Sequence, residues 1–261
     1  MELEEFKKKI SSKNQQLFLT IKDPITSKTI NYSVSNDTTL WRAQSLFKKE
    51  PITIEWIRSF KKNSVFYDVG ANVGMYSIFA GYVSEVKVYS FEPESNNFQM
   101  LMENILINNL GSKINPYPIS ISNVSGLTTL YLSKFEKGSS HHMVGESLDH
   151  NLNKRETKLR QGIFSSTLDD LNKIWKLPKP NYLKIDVDGI EYKIIEKSYS
   201  LLQSKELQSV LIEINPDRDQ DKQIINTLKS FDFFYDQQQV DKAKRKSGTH
   251  IGYAEYLFYK K

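Results

Sequence analysis

The residues best placed to do chemistry begin at Asp68. It follows the apolar run Val65-Phe66-Tyr67 and leads into Val69-Gly70-Ala71-Asn72-Val73-Gly74. That order predicts a buried strand, a glycine turn and then a helix, which together bring backbone N–H groups up to a nucleotide-like ligand. A dinucleotide site would have G-x-G-x-x-G here, because a pyrophosphate must approach bare amides. A carboxylate at that mouth repels a pyrophosphate and attracts an ammonium. S-adenosylmethionine carries an α-ammonium and a sulfonium and no phosphate, so the turn favours it over NAD. One β-α-β step later, Lys87-Val88-Tyr89-Ser90-Phe91 reads as a second strand ending in Glu92, where an acid receives ribose hydroxyls. Asp68 alone would also fit a strand-end turn; the two acids in this spacing fit a ligand site better.

Methyl transfer from a sulfonium starts from an activated donor. The protein has to align the nucleophile and remove its proton. If the acceptor is a hydroxyl, it is a poor nucleophile at neutral pH, so a base or a metal is required. Ligands of open α/β sheets sit at the carboxyl ends of the strands. There Asp186 ends the fourth core strand, Asp188 and Glu191 follow it, and Glu213 ends the fifth strand ahead of Asn215-Pro216. Asp186 is the expected base or substrate-holding group. With Glu213 it also makes a pair that a hard cation, Mg²⁺ or Ca²⁺, would accept. Asp188-Gly189-Ile190-Glu191 fits a capping box equally well, with Asp188 as the cap. His141 and His142 lie in the polar loop Gly138 to Ser147, and imidazole suits proton abstraction near neutral pH. Two solvated surface histidines are the plainer alternative.

These pieces resemble the FkbM family of class I methyltransferases. The resemblance runs over residues 66–213. It rests on Phe66-Tyr67-Asp68-Val69-Gly70-Ala71-Asn72-Val73-Gly74-Met75-Tyr76-Ser77, Tyr89-Ser90-Phe91-Glu92-Pro93, Asn104, Ile121-Ser122-Asn123-Val124-Ser125-Gly126 and Leu183-Lys184-Ile185-Asp186-Val187-Asp188-Gly189-Ile190-Glu191. It implies O-methylation of a sugar or other small-molecule hydroxyl and leaves the acceptor open. It places Asp68, Gly70, Asn72, Gly74, Tyr76, Glu92, Ser122, Asn123 and Asp186 at the S-adenosylmethionine site, with Ser122 and Asn123 beside the adenine; a turn closed by Ser125-Gly126 explains those two as well. Asp186, Glu213, His141 and His142 would then serve the transfer. Readings from other classes are a binding module that has lost catalysis, a nucleic-acid methyltransferase and an NAD-dependent dehydrogenase. The second would show an N/D-P-P-Y motif for amine methylation, which the sequence lacks, and the third is opposed by Asp68.

The elements that must position these residues alternate strand and helix from residue 64 onward, which implies a parallel sheet. Strands are predicted near 65–69, 86–91, 114–118, 182–187 and 209–214, and helices near 73–83, 95–108, 190–203 and 219–230. The segments 231–235 and 255–259 would be the last strands, antiparallel by family resemblance. The expected fold is a Rossmann-like, seven-stranded, mostly parallel sheet with helices on both faces. Residues 1–63 read as an extension with a hairpin and a helical stretch, 40–60, broken at Pro51. A polar loop insertion is expected near 133–166, and its segment from Gly138 to Ser147 is expected to be mobile and to order over the bound acceptor. The 261 residues suit one α/β domain with additions, and 39% hydrophobic content can fill its core. With no cysteine, disulfides, thiolate metal sites and cysteine nucleophiles are excluded. The start, Met1-Glu2-Leu3-Glu4-Glu5-Phe6, has no signal core and no run reaches membrane-span length, so the expectation is a soluble cytoplasmic protein. The net charge of +5 comes from 36 basic and 31 acidic residues, mostly interspersed. The dense cluster Lys242-Ala243-Lys244-Arg245-Lys246 lacks aromatics and reads as a solvated loop, not a nucleic-acid patch.

Overall fold

A computed structural model describes residues 17–148, 153–157, 159–246 and 251–260. Residues 1–16 of the extension, His150 and His250 therefore lie outside the described residues. The extension opens with the antiparallel hairpin β1 (Phe18–Lys22) and β2 (Thr29–Ser33). Asp23 sets its turn by accepting from the Ile25 N–H and the Thr26 hydroxyl, and Arg58 pairs with the same carboxylate at 2.5 Å. Helix α1 (Asp37–Ser45) starts at a reciprocal cap between Asn36 and Thr39. Pro51 does not merely interrupt a helix. It occupies the first position of α2 (Pro51–Arg58), where its missing N–H costs nothing.

The core follows as β3 (Val65–Val69), α3 (Met75–Val83), β4 (Lys87–Phe91), α4 (Ser95–Ile107), β5 (Ile114–Tyr117), β6 (Ser120–Ile121), β7 (Gly126–Tyr131), β8 (Met143–Val144) and β9 (Arg160–Ser166). Then come α5 (Leu168–Lys173), β10 (Tyr182–Ile185), α6 (Glu191–Glu196), α7 (Tyr199–Gln203), β11 (Ser209–Ile214), α8 (Asp219–Ser230), β12 (Phe233–Tyr235), α9 (Gln237–Ala243) and β13 (Ala254–Lys260). The main sheet has seven strands in the order β12-β13-β11-β10-β3-β4-β5. All neighbours run parallel except β13, which is antiparallel to both β11 and β12. This is the expected class I methyltransferase fold. The expected insertion is more ordered than a polar loop. β9 returns to pair with β7 and, in parallel, with β6, forming a four-stranded sheet in the order β6-β9-β7-β8.

Strand alternation decides which side chains share a face. Phe66, Tyr182, Leu211 and Leu257 join the core on the side of the extension, α3 and α4. Tyr67, Val69, Leu183, Ile185, Val210 and Ile212 join the core on the other side. By the same period of two, Asp68, Lys184, Asp186 and Glu213 fall on the extension side, and Glu255 joins them as the register partner of Glu213. The apolar sheet thus carries a charged stripe toward the carboxyl ends of its central strands.

The extension is fastened over this face. Ile30, Tyr32, Ala43 and Leu46 share its core. The Tyr32 hydroxyl donates to the Met75 carbonyl at 2.9 Å, and the Trp56 indole N–H to Ser209 Oγ at 2.8 Å. Buried Asn104 receives the Ser33 N–H and donates to the Val73 carbonyl, each at 2.7 Å, so one side chain ties β2 to the end of the glycine turn. No helix among the described residues is long and apolar enough to cross a membrane. Replacing Asn104 with Ala removes both of these buried hydrogen bonds. We expect about 2–4 kcal/mol lower unfolding free energy, at about 1–3 kcal/mol for each buried bond broken by removing one partner, measured by urea denaturation. A change under ~0.5 kcal/mol would show that the two bonds do not hold the extension down.

Candidate active site

The glycine turn is shaped by a close backbone approach. Gly70 has φ +80°, and a Cβ there would lie 1.9 Å from the Asp186 carbonyl oxygen, so only glycine lets the tips of β3 and β10 meet. Every amide of the turn is already used. The Gly70 and Ala71 N–H groups donate to the Phe91 carbonyl, Asn72 N–H to Glu92 Oε2 at 2.8 Å, Val73 N–H to Asn72 Oδ1, and Gly74 N–H to the Ala71 carbonyl. The turn therefore offers no nest of bare amides to a pyrophosphate. Gly74 packs against Leu101 and lies beneath the site, not on its wall.

The turn lines a cavity of about 250 Å³. Gly70, Asn72, Glu92, Asp186 and Glu213 reach it, together with His141 and His142. Glu92 is buried, with its second oxygen accepting the Glu94 N–H at 2.8 Å. Burial pushes its carboxyl up to about 7 despite the two amide bonds. Each oxygen keeps a lone pair for a hydroxyl donor, the pattern a ribose diol requires. On the neighbouring wall Phe91, Pro93, Ile121 and Leu130 give apolar surface, and the buried Ser120 Oγ has no hydrogen-bond partner. An adenine ring fits such a wall. Ser122 and Asn123, expected there, do not line the cavity. Ser122 N–H bonds the Ser166 carbonyl where β6 pairs with β9, and its hydroxyl faces Asn123. The pairing of β6 brings the chain to the wall two residues earlier than the sequence reading placed it.

Asp68 stands behind the turn. It is buried, takes the Ser77 hydroxyl at 2.6 Å, and lies 3.9 Å from Lys184 Nζ; its Oδ1 has no hydrogen bond. Burial pushes its carboxyl up, against the opposing pull of Lys184. It does not line the cavity, so the expected direct contact with a ligand ammonium is absent from this arrangement. Lys184 donates to Asp186 Oδ2 at 2.9 Å. Burial would raise the Asp186 carboxyl, but Lys184 and then Lys49 outweigh it and hold it far below the carboxylate range. Glu213 behaves oppositely. Burial and the charge of Asp186 push it well up, although Arg245 contacts its Oε1 at 2.5 Å. Tyr76 faces a smaller neighbouring cavity, under the Lys184 ammonium at 5.2 Å from its ring.

The capping box does not form. Asp188 adopts φ +62° and its Oδ2 accepts the His141 N–H at 2.6 Å, while Glu191, at the first position of α6, takes the Val187 and Gly189 N–H groups. Glu191 is thereby withdrawn from the cup, whereas Asp188 still lines the cavity. Among the described residues no three histidine or acidic side chains gather as a metal site, and Asp186 and Glu213 already face Lys184 and Arg245. The donor set does not fit Mg²⁺ or Ca²⁺. Both His141 and His142 line the cavity. His142 accepts the Ser133 N–H at Nδ1 and faces Ser139 Oγ at 3.1 Å through Nε2, so both nitrogens are engaged. The loop carrying them is anchored: Ser139 O accepts from Asn72 and Asn97 side chains, Gly138 N–H donates to Asn97, and Arg42 donates to Gly138 O.

The match to known families runs through these residues. The model of the methyltransferase FkbM domain covers residues 68–235. The chain belongs to the FkbM methyltransferase family. FkbM methyltransferases use S-adenosylmethionine, and the phosphate-free turn, Glu92 and the Ser120 wall suit that cofactor. The chain is 24% identical over 184 residues to the hexuronic acid methyltransferase AglP of Haloferax volcanii, covering 70% of each. Among solved structures it is similar to methyltransferase FkbM from Methylobacillus flagellatus KT, with TM-score 0.49, 13% identity and 87% of this chain covered; the chain spans 56% of that structure's length. It is similar to TYW2 of M. jannaschii in complex with AdoMet at TM-score 0.46 and 11% identity, covering 95% of this chain and 89% of that one.

Sequence reasoning missed Trp41, Arg42 and Lys49 of the extension, Ser120 and Arg245, all on the cavity wall of this FkbM-family chain. Arg245 belongs to the cluster read as a solvated loop, yet it bridges Glu213 and Glu255. No local signal marks these residues. Charge in a core strand was the available hint, since Glu213 and Glu255 need a cation. The engagement of His142 gives a pH prediction. Burial, then Arg155, lowers its pKa from 6.5 to about 4. The closed loop resists a proton that the opened loop accepts, so closure is complete above pH 6.5 and is lost progressively as pH falls toward 4. Hydrogen exchange at residues 137–142, corrected for intrinsic rates, should accelerate over that window. Unchanged protection down to pH 4 would contradict the buried neutral imidazole.

Proposed function

We propose that this chain transfers a methyl group from S-adenosylmethionine to an oxygen of a sugar or glycoconjugate. The observation that carries the donor side is Glu92, a buried carboxylate locked by two backbone amides at the cavity wall, beside a turn whose own amides are spent. That combination receives a ribose and rejects a pyrophosphate. The sugar acceptor draws support from the similarity to a protein named for hexuronic acid methylation.

Bound S-adenosylmethionine supplies an activated methyl on a sulfonium. The chain's own residues then divide the remaining work. Glu92 accepts the ribose hydroxyls, and Ser120 Oγ and Ile121 meet the adenine. Asp186, kept ionised by Lys184, gives the cationic end of the ligand an anionic wall. A carboxylate of such low proton affinity is a weak base, so the acceptor proton goes elsewhere. Glu213 has the higher affinity, and its Oε2 has no hydrogen bond among the described residues, so this oxygen takes the proton while Arg245 holds Oε1. The loop from Gly138 to His142 closes the cavity and excludes water. His141 meets the acceptor from the loop side, and His142 keeps the loop in place.

The test is S-adenosylhomocysteine formation over a panel of sugar acceptors. With a competent acceptor, Glu213→Gln should lower kcat about 10²-fold or more, the range for a lost general base, and leave S-adenosylhomocysteine affinity within about twofold. Because Glu213 must be ionised to act, activity should rise with pH through its raised pKa and then level. EDTA and added Mg²⁺ should change nothing. A Glu213→Gln enzyme with full turnover would remove Glu213 from the chemistry. No methylation of any hydroxyl-bearing acceptor, with RNA methylated instead, would overturn the acceptor assignment.

A further inference from the structure

A second, smaller cavity adjoins the main one across the glycine turn. The two share Arg42, Lys49, Gly70, Asn72 and Asp186, and the smaller adds Ser45, Met75 and Tyr76. Four cationic side chains border the pair. Lys49 contacts Glu50 at 2.5 Å, Lys184 contacts Asp186 at 2.9 Å and Arg245 contacts Glu213 at 2.5 Å. Arg42 differs. Its Nε donates to the Gly138 carbonyl at 2.8 Å, and among the described residues no carboxylate lies within ion-pair distance of its guanidinium. Asp188 is the acid that feels its charge, and that carboxylate is held by the His141 N–H. Arg42 sits in the last turn of α1, where Leu46 and Ala43 pack into the shared core and fix the helix over the turn.

We infer that Arg42 binds the α-carboxylate of the methionine part of S-adenosylmethionine, in the smaller cavity beside Ser45. The inference rests on the donor reading above. Glu92 and Ser120 fix the adenosine at one end of the paired cavities, so the amino-acid chain runs across the turn toward Arg42. A guanidinium suits a carboxylate because its planar N–H fork matches two oxygens, and here the Nη groups are the part left over. The N-terminal extension then has a direct role. It supplies the cation that the glycine turn, with its amides spent, cannot replace.

The test compares two ligands that share the adenosine. S-adenosylhomocysteine carries the carboxylate, whereas 5′-methylthioadenosine lacks the amino-acid end. Calorimetry on the full chain should show Arg42→Gln weakening S-adenosylhomocysteine about 10- to 100-fold, the scale of hydrogen bonds to a charged group. The same variant should bind 5′-methylthioadenosine within twofold of wild type, which also shows that the site is still folded. Arg42→Lys should recover part of the loss. Equal weakening of both ligands would place Arg42 in anchoring Gly138 and overturn the inference. So would unchanged S-adenosylhomocysteine affinity with a raised KM for an anionic acceptor. If wild type bound neither ligand, the donor reading itself would fall, and the inference with it.

Discussion

One buried ammonium organises this site. Lys184 lies in β10, a central parallel strand where both faces are normally apolar. Its register partner is Asp68 on β3, and its Nζ donates to Asp186 at the strand's carboxyl end. Removing an ammonium and two carboxylates from water costs several kcal/mol per ion, which only close pairing offsets. The arrangement is a constraint before it is a source of stability. It fixes the direction of Asp186, keeps it ionised, and leaves Glu213 one strand away at much higher proton affinity. Two acids on one face thereby differ widely in proton affinity, the pattern by which one fold can run charge stabilisation and proton transfer side by side.

The backbone adds a second constraint. Gly70 passes so close to the Asp186 carbonyl that the tips of β3 and β10 can meet only with glycine there. The turn spends its amides on Phe91, Glu92 and itself, so Glu92 both holds the turn and faces the cavity. Polar recognition then has to come from side chains brought in by other segments. The extension brings Arg42 and Lys49, the loop after β7 brings His141, and the segment after α9 brings Arg245. A face built by three separated stretches of chain needs the tethers that Asn104 and Asn97 provide.

Much of the frame was legible in the sequence. The strand, turn and helix at 65–83 and the strand at 209–214 follow from runs of apolar residues broken by glycine. Period-two alternation in Leu183-Lys184-Ile185-Asp186 puts its lysine and acid on one face. The family resemblance supplied the antiparallel last strands. Other features depended on tertiary partners. Asp188 reads as a helix cap because the local pattern fits; its carboxylate instead serves an amide 47 residues earlier. The polar composition of 133–166 hides β9, whose pairing with β7 and β6 comes from a register that no local pattern states. His142 reads as a base until Ser133 and Ser139 take both its nitrogens. Arg245 looks solvated until Glu213 and Glu255 are seen as register partners facing it.

The most direct measurement is a calorimetric titration of the full chain with S-adenosylhomocysteine and with NAD, each repeated on Glu92→Gln. A turn with no bare amides and a buried acid for ribose predicts saturable binding of S-adenosylhomocysteine, no binding of NAD, and a loss of roughly tenfold or more on the substitution, as for hydrogen bonds to a charged group. Binding of NAD in place of S-adenosylhomocysteine, or indifference to Glu92→Gln, would contradict it.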